Sequence, residues 1–239
     1  AVQVFARNLR SKLLAAPLRD KRILAIDPAF RTGCKLAVLD EVGNLTYEGV
    51  IHPHQPQNKK EEARRKLEEL IRRFQIQVIA IGNGTACRET EELVAELIAD
   101  LEDRRINPAP FVPPEPLPPA LPELAYIIVN EAGASVYSTS SIGREEFPHL
   151  DATLRGTVSI GRRLQDPLAE LVKIDPQHVG VGLYQHDVNP KQLRESLGSV
   201  IESCVNSVGV DLNTASVPLL RHVSGLGPKL AEEIVNWAS

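Results

Sequence analysis

Two apolar runs in this 239-residue chain stop at a carboxylate. Ile23-Leu24-Ala25-Ile26 ends at Asp27, followed at once by Pro28 and a short loop to Gly33. Leu124-Ala125-Tyr126-Ile127-Ile128-Val129 ends at Asn130-Glu131. Apolar runs this short, bounded by charge and proline, read as buried strands rather than helices. Each carboxylate therefore stands at a strand end. Asp27 either caps the turn before Pro28, as Asp often does, or takes part in chemistry there. A third acid, Asp151, precedes Thr153 to Leu164 and suits a helix N-cap, while Asp166 stands before Pro167. Glycine turns are the other stretches with chemical content. In Val223-Ser224-Gly225-Leu226-Gly227-Pro228-Lys229-Leu230-Ala231, Gly225 and Gly227 allow a turn that exposes backbone N–H groups beside a helix start. A phosphate oxygen can be held there without any base being read. Pro228 suits the first helical turn, and Lys229 adds a positive charge. Gly82-Asn83-Gly84-Thr85 either presents amides to an anion in the same way or is a plain turn. Arg88, just beyond it, would oppose a helix dipole and so favours an anionic neighbour or ligand.

Periodicity gives the elements that must hold these residues. Cys34 to Leu39 and Leu45 to Ile51 extend the first run into a three-strand meander, with Glu41-Val42-Gly43-Asn44 as a hairpin turn. After Pro53-His54-Gln55-Pro56, a helix from Asn58 places Ala63, Leu67, Leu70, Ile71 and Phe74 on one face. Its other face interleaves Lys and Arg with Glu, which is a solvated surface rather than a binding stripe. The buried strand Val78 to Ile81 and a helix carrying Leu93, Val94, Leu97, Ile98 and Leu101 follow. Pro108 to Pro122 holds eight prolines in fifteen residues and reads as an extended surface excursion that interrupts the domain. The small residues Ala132 to Ser138 suit a helix packed closely on a neighbour. Leu168 to Ile174 is a short amphipathic turn, and His178 to Tyr184 is extended. His186-Asp187 has no nucleophile motif beside it. No strand pattern remains beyond Pro190. Leu193, Leu197, Val200, Ile201, Cys204 and Val208 fit one helix, followed by two turns. The first, at Gly209, is a degenerate copy with Asp211 where a second glycine would stand, and a carboxylate there repels phosphate. Ala1 to Asp20, with Phe5, Leu9, Leu13 and Leu14 at helical spacing, reads as the end of a preceding helical region whose packing partner is expected elsewhere.

The 43% hydrophobic content and mixed charge are those of a soluble globular chain with a sizeable core. A net charge of -4 gives no general pull toward phosphate, so nucleic-acid binding would need local patches or backbone geometry. No apolar run approaches the roughly 20 residues of a membrane span, and the N-terminus lacks a cleavable signal pattern. Cytoplasmic residence without membrane contact is the expectation. With Ala1 first and no Met, the sequence reads as an excerpt of a longer protein. Cys34, Cys87 and Cys204 are odd in number and widely spaced, against both a disulfide framework and a structural zinc site.

The Val223–Ala231 pattern resembles the hairpin of helix-hairpin-helix modules. The order of meander, helix, strand, helix, strand and helices resembles the ribonuclease H-like fold. The resulting fold class is α/β, a mixed sheet flanked by helices, followed by an all-α helix-hairpin-helix domain. In the ribonuclease H-like fold, carboxylates at strand ends and a helix start hold two divalent metals for phosphoryl chemistry. Asp27 and Glu131 match the first two places; Asp151 is the candidate third, with Asp166 in reserve. The resemblance thus implies Mg2+ or Mn2+ as ions the cluster could take, with no cofactor required. Longer motifs narrow it: Asp27-Pro28-x-x-Arg31-Thr32-Gly33, Ile81-Gly82-Asn83-Gly84-Thr85, Asn130-Glu131-Ala132-Gly133-Ala134-Ser135-Val136-Tyr137, Arg155-Gly156-x-Val158-Ser159-Ile160, Arg163-Leu164-Gln165-Asp166-Pro167-Leu168-Ala169-Glu170-Leu171 and Gln185-His186-Asp187-Val188. Together these resemble the bacterial transcription accessory protein Tex family. That resemblance, running from about Lys21 to the end, implies a YqgF-like domain at 21–165, a connector at 166–189 and a helix-hairpin-helix region at 190–239; the helical lead-in at 1–20 precedes it, and the proline-rich insertion at 107–122 interrupts it. The resemblance further implies RNA and/or DNA and the transcription machinery as partners, and an S1 RNA-binding domain beyond this stretch. Ala29 replaces the glycine usual after the Asp-Pro pair, and the insertion is foreign to the pattern. A nucleic-acid-binding factor is the first reading. The alternative is a metal-dependent nuclease or junction resolvase using Asp27, Glu131 and Asp151; an actin-like ATPase would need a second phosphate turn.

Overall fold

The computed structural model describes residues 1–106, 123–212 and 215–238. Alternation along the first strand sets the layers. In β1 (Ile23–Asp27), Leu24 and Ile26 enter one core while Ile23 and Ala25 enter another on the opposite face. A strand covered on both sides must be apolar throughout, hence the unbroken run. β2 (Cys34–Leu39) and β3 (Leu45–Ile51) pair antiparallel to form the meander, and β4 (Val78–Gly82) lies parallel to β1 on its other side. β5 (Ala125–Val129) pairs parallel with β4, completing the order β3-β2-β1-β4-β5. Parallel pairing of β1, β4 and β5 brings their C-terminal ends to one edge. β5 corrects the expectation of a buried strand: it is the sheet's outer member, with Ala125 and Ile128 exposed.

α2 (Lys60–Phe74) and α3 (Cys87–Ile106) cover one face through Leu67, Leu70, Leu93 and Leu97. Arg64, Arg72 and Arg104 pair with Glu96, Glu68 and Glu68, so the charged face of α2 is neutralised within the chain. The proline-rich insertion lies outside the described residues. Past β5, α4 (Ala134–Thr139) and α5 (Ser141–Glu146) lead to α6 (Ala152–Gln165), which crosses the other face. α6 is buried on most of its circumference, and a Cβ on Gly161 would meet Leu39 Cδ1 at 2.6 Å and Ala25 Cβ at 3.1 Å. Glycine there permits the close approach. Gln165 then ties the helix end to the sheet, its Nε2 donating to the carbonyls of Lys21 (3.0 Å) and Asp40 (2.6 Å).

A second core is wholly helical. α1 (Val2–Leu13) inserts Phe5, Leu9 and Leu13 among Leu168 and Leu171 of α7 (Pro167–Leu171) and Leu193, Leu197 and Ile201 of α8 (Pro190–Val208). The lead-in helix thus packs within this chain, correcting the expectation of a partner elsewhere. His178 to Tyr184 is also corrected: it joins two 3-10 turns, at Pro176–His178 and Gln185–Asp187, and buries Val179 and Val181 in the same core. Gln185 holds the bend, its Oε1 accepting from Val181 N–H at 3.2 Å. α9 (Val217–Leu220) and α10 (Pro228–Ala238) follow. Among the described residues every strand lies between Ile23 and Val129, and no helix is long and apolar enough to cross a membrane.

Candidate nucleic-acid interface and carboxylate pair

Asp27 and Glu131 meet because the parallel strands end side by side. Asn83, just past β4, locks the neighbouring corner: its N–H donates to Val129 O at 3.0 Å and its Oδ1 accepts from Glu131 N–H at 3.0 Å. Arg163 of α6, only 6% exposed, donates through Nη1 to the carbonyls on either side of Glu131, Asn130 at 2.7 Å and Ala132 at 2.8 Å. The Glu131 carboxylate lies over the glycine loop. A Cβ on Gly82 would stand 2.8 Å from Oε2, and one on Gly84 would overlap the carboxylate. The loop's small residues therefore admit the chain's own acid where an external anion was the alternative. Arg88 has an anionic neighbour, Glu92, 3.4 Å away.

Burial first, and the Glu131 charge second, push the Asp27 carboxyl up to about 6, against the pull of Lys35. Lys35 faces Asp27 in the β1–β2 register, and its Nζ donates to Thr32 O at 2.9 Å. Asp151 is occupied differently. Its Oδ1 caps α6, accepting from Thr153 Oγ1 at 2.6 Å and Leu154 N–H at 2.9 Å, and the Thr153 bond leads the causes holding its pKa below the usual carboxylate value. Asp166 is an exposed cap on α7, accepting from Ala169 N–H at 2.9 Å. The structure thus brings Asp27 and Glu131 together, gives Asp151 and Asp166 helix-capping roles, and places Lys35 where it acts on both Asp27 and Asp151. Among the described residues no group of three His, Cys, Asp or Glu side chains is arranged to hold a metal ion. Two carboxylates with a lysine beside them do not fit a two-metal donor set. Arg155 turns toward Phe147 O at 3.4 Å. Sequence reasoning missed Lys35, although pairing β1 with β2 leads from Asp27 to it. Arg163 and Asn83 lie in stretches that the sequence singles out, but nothing local to them indicates that they fix the Glu131 backbone.

The second site is the turn between α9 and α10. Gly225 has φ +86°, a left-handed conformation that favours glycine. Gly227 has an ordinary φ, and a Cβ there would meet nothing within 4 Å. The chain's own packing does not require glycine at 227. Ala231 N–H closes onto Gly227 O at 3.0 Å, so α10, 11 residues long, starts at this turn with Lys229 exposed in its first turn. Asn206 of α8 clamps the approach: Nδ2 donates to His222 O at 3.1 Å, and Oδ1 accepts from Ser224 N–H at 2.9 Å. Leu220 and Ala231 are fully buried where α9 meets α10, and Arg221 bridges to Glu232 at 2.7 Å. The degenerate first turn also begins with a left-handed glycine, Gly209 at φ +81°.

Residues 21–165 match the family model described as the Tex protein YqgF-like domain, and residues 205–237 match that of the helix-hairpin-helix motif. The chain is 50% identical over 98% of its length to uncharacterized protein YdcI of Bacillus subtilis, covering 30% of that protein. It is 50% identical over 99% of its length to protein tex of Bordetella pertussis, covering 28%. To the human S1 RNA-binding domain-containing protein 1 it is 44% identical over 99% of its length, covering 22%. It therefore spans less than a third of these relatives. The strand order, the Asp27–Glu131 corner and the glycine turn all lie within matched segments, and the chain belongs to the Tex family.

Proposed function

We propose that this chain is the YqgF-like and helix-hairpin-helix portion of a cytoplasmic transcription accessory factor that holds RNA or DNA by its phosphate backbone, largely without reading sequence. In this reading 21–165 and 190–239 are the two functional units, joined by 166–189. The observation that carries it is the exposed Gly225–Lys229 turn: glycine at 227 is not demanded by any neighbour, and the turn opens onto a helix N-terminus beside a lysine. Backbone N–H groups and the helix dipole there suit a phosphate oxygen, and contacts to phosphate position a nucleic acid without specifying its bases. The names of two relatives, the transcriptional accessory protein Tex of Neisseria gonorrhoeae and the human S1 RNA-binding domain-containing protein 1, support transcription and an S1 domain elsewhere in the full-length protein.

The test is a Gly227→Asp variant of the full-length protein in a fluorescence binding assay. A carboxylate in that open space repels phosphate, so affinity for duplex and single strands should fall at least tenfold while the fold is kept. Unchanged binding by a folded variant would refute the proposal. The second reading, a metal-dependent nuclease, would use the Asp27–Glu131 pair and requires carboxylates beyond these two.

A further inference from the structure

The chain before Asp20 carries charge of one sign: Arg7, Arg10, Lys12 and Arg19, with no Asp or Glu among them. In α1 the residues Phe5, Leu9 and Leu13 face the helical core. Gln3, Arg7 and Arg10, spaced i, i+4 and i+7, make a different stripe of the helix, and all three are exposed. Lys60, Arg64 and Arg72 of α2 are each answered by a carboxylate of the chain. The α1 stripe is not. Among the described residues no carboxylate pairs with Arg7 or Arg10, and Arg10 Nη1 donates instead to a neutral group, Ser203 Oγ of α8, at 3.3 Å.

Ser203 ties this stripe to the glycine turn. Asn206, about 4.5 Å further along α8, is the residue that bonds His222 O and Ser224 N–H at the approach to Gly225. α1 and α8 run in the same direction, because Arg10 meets Ser203 while Leu13 and Val208, nearer their two ends, line one cleft. Arg7 therefore stands level with Ser199, one turn back on each helix. Ser199, Ser203 and Asn206 are exposed at i, i+4 and i+7 of α8, a stripe without a carboxylate. Glu202 points about 100° round the helix from Ser203. The surface leading from the turn to Arg7 is thus neutral and then cationic.

We infer that Arg7 and Arg10 make a second phosphate contact, so that a nucleic-acid backbone held at the glycine turn continues over the serine stripe of α8 to α1. The inference rests on the phosphate-binding reading of that turn. Phosphates recur about every 3.4 Å of axis along each strand, so those that follow one gripped at the turn come within reach of Arg10. A guanidinium can give two parallel hydrogen bonds to one phosphate, and serine and asparagine side chains also contact phosphate oxygens. α1 lies outside both matched segments, 21–165 and 205–237, so this contact is additional to the hairpin's own.

The experiment measures how salt changes the affinity of the full-length protein for single-stranded and duplex DNA of several unrelated sequences. Wild type is compared with Lys229→Ala and with the double variant Arg7→Ala/Arg10→Ala. Losing two phosphate contacts should reduce the slope of log K against log salt by about 1.4 on single strands and about 1.8 on duplexes, equally on every sequence. Arg7→Lys/Arg10→Lys keeps both charges and should keep the slope. Ser203→Ala removes the hydrogen bond to Arg10 but no charge, and should also leave the slope unchanged. If Lys229→Ala reduces the slope and the alanine pair does not, the inference is overturned, the turn reading stands, and the arginines serve another occupant such as an acidic protein segment. A loss that the conservative pair fails to restore, or that Ser203→Ala reproduces, overturns it as a packing effect. An unchanged slope in Lys229→Ala refutes the turn reading, and with it the continuous tract.

Discussion

Replacing Asp27 by Asn should stabilise the protein, and only above about pH 4. Asp27 is held in a half-buried corner beside Glu131, with its carboxyl raised from 3.8 to about 6, burial being the larger cause. A raised pKa in the folded state means that the fold favours the protonated acid. Below the unfolded value of 3.8 the group is neutral in both states and contributes no penalty. Between pH 4 and 6 the unfolded chain ionises while the folded one resists, so stability falls as pH rises, and above pH 6 the penalty is constant. At 1.36 kcal/mol per pKa unit, the full penalty is on the order of 3 kcal/mol. Asn has the same shape and no charge. Asp27→Asn and the parent should therefore unfold alike near pH 4, while at pH 8 the variant should be more stable by up to about 3 kcal/mol, or roughly 6–12 °C in Tm for a domain of this size. Glu131→Gln should give a smaller gain, since it removes only the second cause. Urea denaturation at several pH values checks this. A difference that does not change with pH, or a variant less stable than the parent at pH 8, would refute the reasoning.

Gly161→Ala places a methyl against Leu39 and Ala25 in the tightest part of the helix–sheet contact; it should cost about 1–3 kcal/mol, read as a lowered Tm. Full-length protein incubated with single-stranded, duplex and branched DNA and RNA in magnesium or manganese should show no cleavage that Asp27→Asn abolishes, because the carboxylates that meet are two and not three. Metal-dependent cleavage lost in Asp27→Asn would make the nuclease the primary function.

Elements whose signal is local were readable from the sequence. The strands β1, β2 and β4 announce themselves as short, largely apolar runs and β3 as a run of β-formers, and Asp151 carried its N-cap role in its position before Thr153. Features that depend on distant neighbours were not. α1 packs on α8 nearly two hundred residues away, and nothing near Phe5 or Leu9 points there. β5 has the composition of a buried strand, yet its place at the sheet edge, which its own residues do not encode, leaves Ala125 and Ile128 in solvent. Val179 and Val181 suggested an extended segment by alternation, but both are buried in the helical core, and Gln185 Oε1 accepts from Val181 N–H at the bend. At the carboxylate corner, Asp27 and Glu131 were visible as strand ends, whereas the Asn83 and Arg163 bonds that fix Glu131 join segments far apart in sequence. Position at a helix start was the whole case for Asp151 as a third acid, and the same position gives its carboxylate backbone amides to cap.

In the proposed function the Gly225–Lys229 turn grips phosphate and not bases. The most direct measurement is the dependence of affinity on salt, for full-length wild type and Lys229→Ala, on several duplexes and single strands of unrelated sequence. If Lys229 meets a phosphate, its loss should reduce the slope of log K against log salt by about 1 and weaken binding by the same factor on every sequence. An unchanged slope, or a loss of affinity confined to particular sequences, would contradict it.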